Sequence, residues 1–213
     1  MNVVVVGGPG AGKGSLAKLI ARDYKIVHIS SGDIFRELAQ LKSPIGKSIK
    51  ETIETGGLID DKIAEYIVMG RLAMVDCKNG FILDGFPRTV KQSKELCKHF
   101  QIDFVINIVS TIETVVARLC GRYMCTECGC IHNKLWHDIT KCRECGAPLY
   151  QRVDDTEPVI RKRYQEYHDQ FNPILNFYRA KAGCKVLDLE SLLEDDQQRM
   201  YEKFRREHGE IFK

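Results

Sequence analysis

Val3-Val4-Val5-Val6 runs straight into Gly7-Gly8-Pro9-Gly10-Ala11-Gly12-Lys13-Gly14-Ser15, and the helical pattern Leu16-Ala17-Lys18-Leu19-Ile20 follows at once. The apolar run reads as a buried strand. A glycine-rich turn between strand and helix can aim successive backbone N–H groups at an anion, and the helix N-terminus adds partial positive charge. Lys13 places a point charge near the outermost phosphates. The spacing is G-x-x-x-x-G-K in the strand–loop–helix context that a phosphate-binding loop requires. Gly14 stands where such loops usually carry Ser or Thr, so the hydroxyl available to a magnesium shell moves to Ser15.

The rest of the chain repeats the alternation. A short apolar piece at 26–29 precedes Ser30-Ser31-Gly32-Asp33, which caps a helix running through Leu38. Helical patterns follow near 45–54 and 61–76, separated by Gly56-Gly57. Phe81-Ile82-Leu83 is a strand ending on Asp84-Gly85, and 104–109 is another, with helices near 89–99 and 112–121. A long helix near 157–181, a last strand at 185–188 and a charged helical end from Ser191 to Lys213, expected to be solvated, complete the pattern. Apolar strands alternating with helices specify an α/β fold with a parallel sheet covered on both faces. In such sheets ligands bind beyond the carboxyl ends of the strands, so Gly7 and Asp84 are expected to face one cleft.

With 32 basic and 29 acidic side chains the net charge is +3, so any positive field is local and a polycationic nucleic-acid protein is excluded. No stretch approaches the roughly 20 apolar residues of a membrane span. No signal-peptide pattern precedes the first strand, and the expected setting is cytoplasmic. Nine cysteines then point to reduced thiols and metal rather than disulfides.

Asp84-Gly85-Phe86-Pro87-Arg88 is the second strong motif. Asp84 at a strand end can hold magnesium through water, Pro87 fixes the backbone before Arg88, and the planar fork of Arg88 suits a phosphate. Arg36, Arg118, Arg122, Arg152 and Arg163 are further candidates. Arg118 and Arg122 are spaced to share a helical face, and of Arg161 and Arg163 at most one can face a common ligand.

Cys125-x-x-Cys128 and Cys142-x-x-Cys145 are separated by thirteen residues, and each knuckle is followed by glycine. That spacing matches a tetrahedral zinc ribbon, and four protein ligands leave no open position, so the metal is expected to be structural. Cys130, His132 and His137 lie inside the loop and could substitute for a ligand. Cys77, Cys97, Cys120 and Cys184 read as small core residues.

Taken together, G-G-P-G-A-G-K-G-S, S-S-G-D-I-F-R, D-G-F-P-R-T, and R-x-D-D at Arg152 to Asp155 with R-K-R-Y after it resemble the adenylate kinases, from residue 1 to about 190. The resemblance implies Mg²⁺-dependent phosphoryl transfer, ATP + AMP = 2 ADP, on a phosphate-loop sheet carrying a helical AMP-binding insertion and a zinc-ribbon-like lid. It implies a core of 1–29, 60–121 and 153–213, an insertion of 30–59 and a lid of 122–152. Gly10, Ala11, Gly12, Lys13, Gly14 and Ser15 would bind the ATP phosphates, with Arg118 near the base and Ile131 and His132 on the lid side. Ser31, Arg36, the Gly57-Leu58-Ile59 backbone, Gly85, Phe86, Pro87, Arg88 and Gln92 would hold AMP. Arg122, Arg152 and Arg163 would meet across the phosphates, with Lys13, Arg88 and Asp84 completing the catalytic set. Asp188 is followed by Leu189-Glu190 where the family commonly has glycine near the adenine. A monomer working on ATP, AMP and ADP, without nucleic acid or membrane, is expected. UMP, CMP or GMP as acceptor, and a zinc-ribbon nucleic-acid-binding NTPase, are the alternatives.

Overall fold

The structure is a computed structural model that describes residues 1–210. In chain order, β1 (Asn2–Gly7) leads to α1 (Lys13–Tyr24), and β2 (Val27–Ser30) runs into α2 (Ser31–Leu38), α3 (Pro44–Glu54) and α4 (Asp61–Leu72). β3 (Phe81–Asp84), α5 (Val90–His99), β4 (Phe104–Val109) and α6 (Ile112–Cys120) continue the alternation. Then β5 (Arg122–Cys125), β6 (Ile131–Asn133) and β7 (Leu149–Tyr150) interrupt it before α7 (Glu157–Arg179), β8 (Lys185–Glu190) and α8 (Gln197–His208).

The main sheet has the order β2-β3-β1-β4-β8. All its pairings are parallel, with Val5 opposite Asp84, Ser30 opposite Asp84, and Gly7 opposite Ile108. The carboxyl ends of β1, β2 and β3 therefore share one edge, which is what places the glycine loop, Ser31 and Asp84 together. Side-chain alternation divides the core in two. Val4 and Val6 join the cluster under α4, α5 and α7, whereas Val3 and Val5 join the cluster under α1 and α8. All four valines are at most 5% exposed, so β1 is covered on both faces, as its unbroken apolar run requires.

Local chemistry starts the helices where the sequence suggests. Ser30 Oγ accepts from Asp33 N at 3.2 Å, Ser43 Oγ from Gly46 N, Asp60 from Lys62 N, and Thr89 Oγ1 from Gln92 N. The helix expected over 61–76 ends at Leu72, and a 3₁₀ turn, Val75–Cys77, follows it. The charged end is not simply solvated. α8 buries Met200, Tyr201 and Phe204 in the cluster beneath α1, because those residues recur at three-to-four-residue spacing among the charges. The helix expected to reach Lys213 stops at His208, and residues 211–213 lie outside the described residues.

Residues 122–150 form a second, antiparallel sheet of order β6-β5-β7. Gly121 ends α6, so Arg122 belongs to β5 and does not share a helical face with Arg118. Cys77 is buried and Cys97 and Cys184 are half-buried, but Cys120 is exposed, at the last turn of α6, rather than in the core.

Candidate active site

The glycine loop closes on itself. Ala11 N donates to Gly8 O at 3.3 Å, and Gly10 and Gly12 take left-handed φ values of 71° and 96°. A side chain at Gly10 would stand 2.7 Å from Leu119 Cγ, so both the backbone angle and the close approach demand glycine. Ala11 is fully buried beneath the loop, and Gly8 lies against the rings of Tyr164 and Tyr167 on α7. α1 begins at Lys13 with Gly12 as its N-cap and no side chain capping it, which leaves its first N–H groups directed at the cleft. Ser15 is half-buried in the same first turn. Lys13 Nζ donates to Gly7 O at 2.9 Å and Gly8 O at 2.7 Å.

Asp84 at the end of β3 is 9% exposed, and its Oδ2 faces the helix start at Gly14. Gly85 (φ 81°) then turns the chain so closely past Ser31 that a Cβ there would meet Ser31 Oγ at 2.7 Å. Ser31 is fully buried at the start of α2, with its Oγ unpartnered among the described residues. Phe86 is a core residue joined by a cis peptide bond to Pro87, and Arg88 Nε donates back to Gly85 O at 2.8 Å. Gln92 is buried. It accepts from Arg88 N at 2.7 Å and donates to Asp61 Oδ1 at 2.8 Å, so it anchors the Asp84–Arg88 turn to α4.

The arginines come from four separate segments. Arg36 Nη2 is 2.6 Å from Asp33 Oδ1, and Arg152 Nη2 reaches the same oxygen at 3.5 Å. Arg122 Nε donates to buried Asp155 Oδ2 at 2.7 Å, and Arg163 pairs with buried Asp154. Arg161 instead pairs with Glu157 on the exposed face of α7. Lys13, Pro87, Arg88, Arg163 and Leu58 line one cleft together with Val6, Phe171 and Ile174, and α7 adds Glu166, Tyr167 and Gln170 to its wall. Gly57 and Ile59 flank Leu58 half-buried, and Ile59 packs on the core beneath.

Mutual repulsion marks the cluster electrostatically. Burial lowers the Lys13 ammonium to about 8, with Arg88, Arg163 and Arg122 acting in the same direction against Asp84. Burial and then Arg163 lower Arg88 to about 10, and burial with Arg122 and Arg36 lowers Arg152 to about 10. Arg163 is lowered by the same causes. The half-buried cations Lys13, Arg36, Arg88, Arg122, Arg152 and Arg163 outnumber the carboxylates among them, Asp33, Asp84, Asp154, Asp155 and Glu166, and held this close they form a site for a polyanion.

Arg118 is placed differently. It is 4% exposed, donates to Ser191 Oγ at 2.6 Å and Asp195 O at 2.7 Å, and also bonds Leu192 O, which ties α6 to the turn after β8. Across the lid, Ile131 is half-buried, while His132 is buried with its Nε2 3.3 Å from Cys142 Sγ, so its ring faces the cysteines. Asn133 supports the α6 end by donating to Arg118 O at 2.8 Å.

The sulfur atoms of Cys125, Cys128, Cys142 and Cys145 all lie within 4.8 Å of one another. The Cys125–Cys145 and Cys128–Cys142 separations are 3.4 and 3.5 Å, far from a disulfide bond of about 2.05 Å. Four sulfurs bound at about 2.3 Å to one tetrahedral Zn²⁺ stand roughly 3.8 Å apart, so the donor set fits that ion. Burial opposes ionisation of Cys125, but the backbone N–H groups of Cys128 and Glu127 aimed at its sulfur bring it to about 6. Cys130 and His137 are outside the cluster of four.

Sequence reasoning missed the carboxylates that hold the arginines: Asp33, Asp154 and Asp155. The last two stand inside the R-x-D-D motif, and Glu166 and Tyr167 lie three and four residues from Arg163 on one face of α7, a spacing that could have found them.

The adenylate kinase family model matches residues 5–183. The adenylate kinase of Thermosipho africanus (strain TCF52B) is 44% identical over 207 residues, covering 92% of this chain and 97% of that protein. That of Archaeoglobus fulgidus is 42% identical over 192 residues, 85% and 88% of the two chains. That of Geotalea daltonii is 40% identical over 212 residues, 94% and 97%. A shared cleft of loop, lysine and arginines, together with likeness over almost the whole length, leads to one conclusion: the chain belongs to the adenylate kinase family.

Proposed function

We propose that the chain catalyses ATP + AMP = 2 ADP in this cleft. The observation that carries this is the convergence of Lys13, Arg88 and Arg163 on a single cleft, with Arg36, Arg122 and Arg152 linked to it through shared or neighbouring carboxylates. An acceptor phosphate is already an anionic nucleophile, so transfer needs positioning and charge neutralisation rather than a general base. The Gly10–Ser15 loop and Lys13 hold the donor phosphates. Ser31, Arg36, the 57–59 backbone and the Gly85–Arg88 turn hold the acceptor. Arg122, Arg152 and Arg163 neutralise the group in transit. Lys13, released from Gly7 O and Gly8 O, follows the transferred phosphoryl group.

Asp84 and Ser15 are the residues that would hold Mg²⁺, which supplies charge neutralisation on the donor phosphates. Zn²⁺ held by Cys125, Cys128, Cys142 and Cys145 serves to fold the lid of 122–152, a segment too small to build its own core. The 30–59 insertion and the lid then move against the rest of the chain. Among the described residues no helix is long and apolar enough to cross a membrane. We take the working form to be a cytoplasmic monomer.

Coupled assay of ADP formation from Mg-ATP with AMP, UMP, CMP and GMP in parallel tests the reaction. Turnover with AMP alone is expected. Turnover with another acceptor overturns the acceptor assignment, and none with any overturns the reaction.

A further inference from the structure

The four lid cysteines are not equally hidden from water. Cys125 and Cys142 are 2% and 3% exposed, whereas Cys128 and Cys145 lie at the surface. Four thiolates around one divalent ion leave a net negative charge, and that charge needs donors where water cannot reach it. Solvent can serve the exposed pair. Of the buried pair, Cys125 Sγ accepts from the backbone N–H groups of Glu127 at 3.4 Å and Cys128 at 3.5 Å. Among the described residues no backbone N–H donates to Cys142 Sγ. The group set against that sulfur is a side chain, His132, whose Nε2 stands 3.3 Å away. His132 is itself buried, on β6 opposite Tyr123 of β5, and the next residue, Asn133, ties the same strand to Arg118 O on α6.

We propose that His132 is a positioning residue of the lid metal centre: its Nε2–H holds the Cys142 thiolate and thereby sets how tightly the ion is bound. This rests on the four-cysteine zinc reading above. A metal-bound Cys142 carries no proton, so a hydrogen bond at this distance requires the proton on Nε2 and the ring as donor. The ring is not a further ligand. The ligand atoms within 4.8 Å of one another are the four sulfurs alone, and a nitrogen that directs its proton at sulfur has no lone pair to give the ion. The resemblance would put His132 on the lid side of ATP, but its ring is engaged by the sulfur instead. Without it the buried Cys142 charge has no donor. That loss falls on the metal-bound state, because a thiol without metal can keep its proton.

Competition of the full-length protein against a chromophoric chelator measures zinc affinity, and Co²⁺ in place of Zn²⁺ makes the ligand field visible. The wild type is expected to show the d–d bands of a tetrahedron of four thiolates. His132→Ala is expected to weaken zinc about 10- to 100-fold, the range for groups that orient a metal's ligands. It should keep the four-thiolate d–d bands, which shows that the lid still closes around the ion. Its thiolate-to-cobalt charge-transfer bands should move to lower energy, since a thiolate that has lost a hydrogen bond gives up an electron more readily. His132→Gln, whose amide can donate, should recover at least half of the affinity loss on a logarithmic scale. Unaltered zinc affinity or unmoved charge-transfer bands in His132→Ala, or a wild-type spectrum of mixed nitrogen and sulfur ligands, overturns the proposal. A wild type that takes up neither ion sinks the zinc reading itself, whereas a four-thiolate wild type matched by His132→Ala sinks only the role of His132.

Discussion

Asp84 Oδ2 lies 3.1 Å from the point where a Cβ on Gly14 would stand. The missing side chain after Lys13 is therefore what lets the β3 carboxylate reach the first turn of α1, beside Ser15. Gly14 has ordinary helical geometry, so Gly14→Ala costs the helix nothing in propensity and acts on Asp84 alone. Displacing that carboxylate by a few tenths of an ångström is expected to lower kcat roughly tenfold or more and to raise the Mg²⁺ concentration for half-maximal rate. A magnesium titration of initial rates checks it. An unchanged magnesium dependence removes Asp84 from the ion's site.

Arg88 is half-buried beside Arg163, and the pair is unfavourable before any anion arrives. Arg88→Ala is expected to cost about 10²–10⁴ in kcat, the range of groups that neutralise developing charge. The same substitution relieves repulsion, so the melting temperature of the nucleotide-free protein should hold or rise. Steady-state kinetics with a paired thermal melt checks both, and a loss under tenfold takes Arg88 out of the mechanism.

Lys13 titrates near 8 in the folded, nucleotide-free protein, against 10.5 for an ordinary lysine. A lysine lowered in this way opposes folding below its folded value. Between about pH 8 and 10.5 the unfolded chain binds more protons, so this group's penalty fades as pH rises through that window. Binding behaves oppositely. Loss of the ammonium charge above pH 8 should weaken Mg-ATP, with apparent Kd rising toward tenfold per pH unit, while Lys13→Arg flattens that limb. Nucleotide titrations from pH 7 to 10 measure it.

Removal of the metal is expected to unfold the lid and leave the main sheet intact, because the two cores do not include the cysteine cluster. The loss of such a crosslink costs about 2–5 kcal/mol, which at this chain length lowers the melting temperature by roughly 5–15 °C. Metal analysis should find one zinc per chain, and Cys142→Ser should reproduce the chelated state. Limited proteolysis should then cut within 122–152. Unchanged protease resistance after chelation ends the structural role assigned to the ion.

The parallel sheet was legible because its strands are mostly apolar runs, broken only at His28, Asn107 and Asp188 within β2, β4 and β8, and because every α-helix but α1, which starts at Gly12, begins at a Ser, Thr or Asp in plain view. The lid strands were not. β7 is only Leu149–Tyr150, and pieces so short carry no periodicity. Arg118 and Arg122 looked like helical neighbours because spacing alone cannot see that Gly121 ends α6. In α8 the charges outnumber the apolar residues and hide the stripe of Met200, Tyr201 and Phe204. The site's cations were readable as residue types. Their holders were not, because Asp33 meets Arg152 across 119 positions of sequence, a relation only the fold creates.

The neck of the lid is stapled on both sides: Gln151 Nε2 donates to Cys120 O at 2.8 Å, and Arg122 grips Asp155. Incoming and outgoing chains thus leave the body as one stalk, with Arg122 and Arg152 mounted on it. The same neck is also tied across the cleft, because Arg152 reaches Asp33 Oδ1, the oxygen that Arg36 holds. One carboxylate of α2 thus joins the cation carried by the neck to the cation carried by the 30–59 segment.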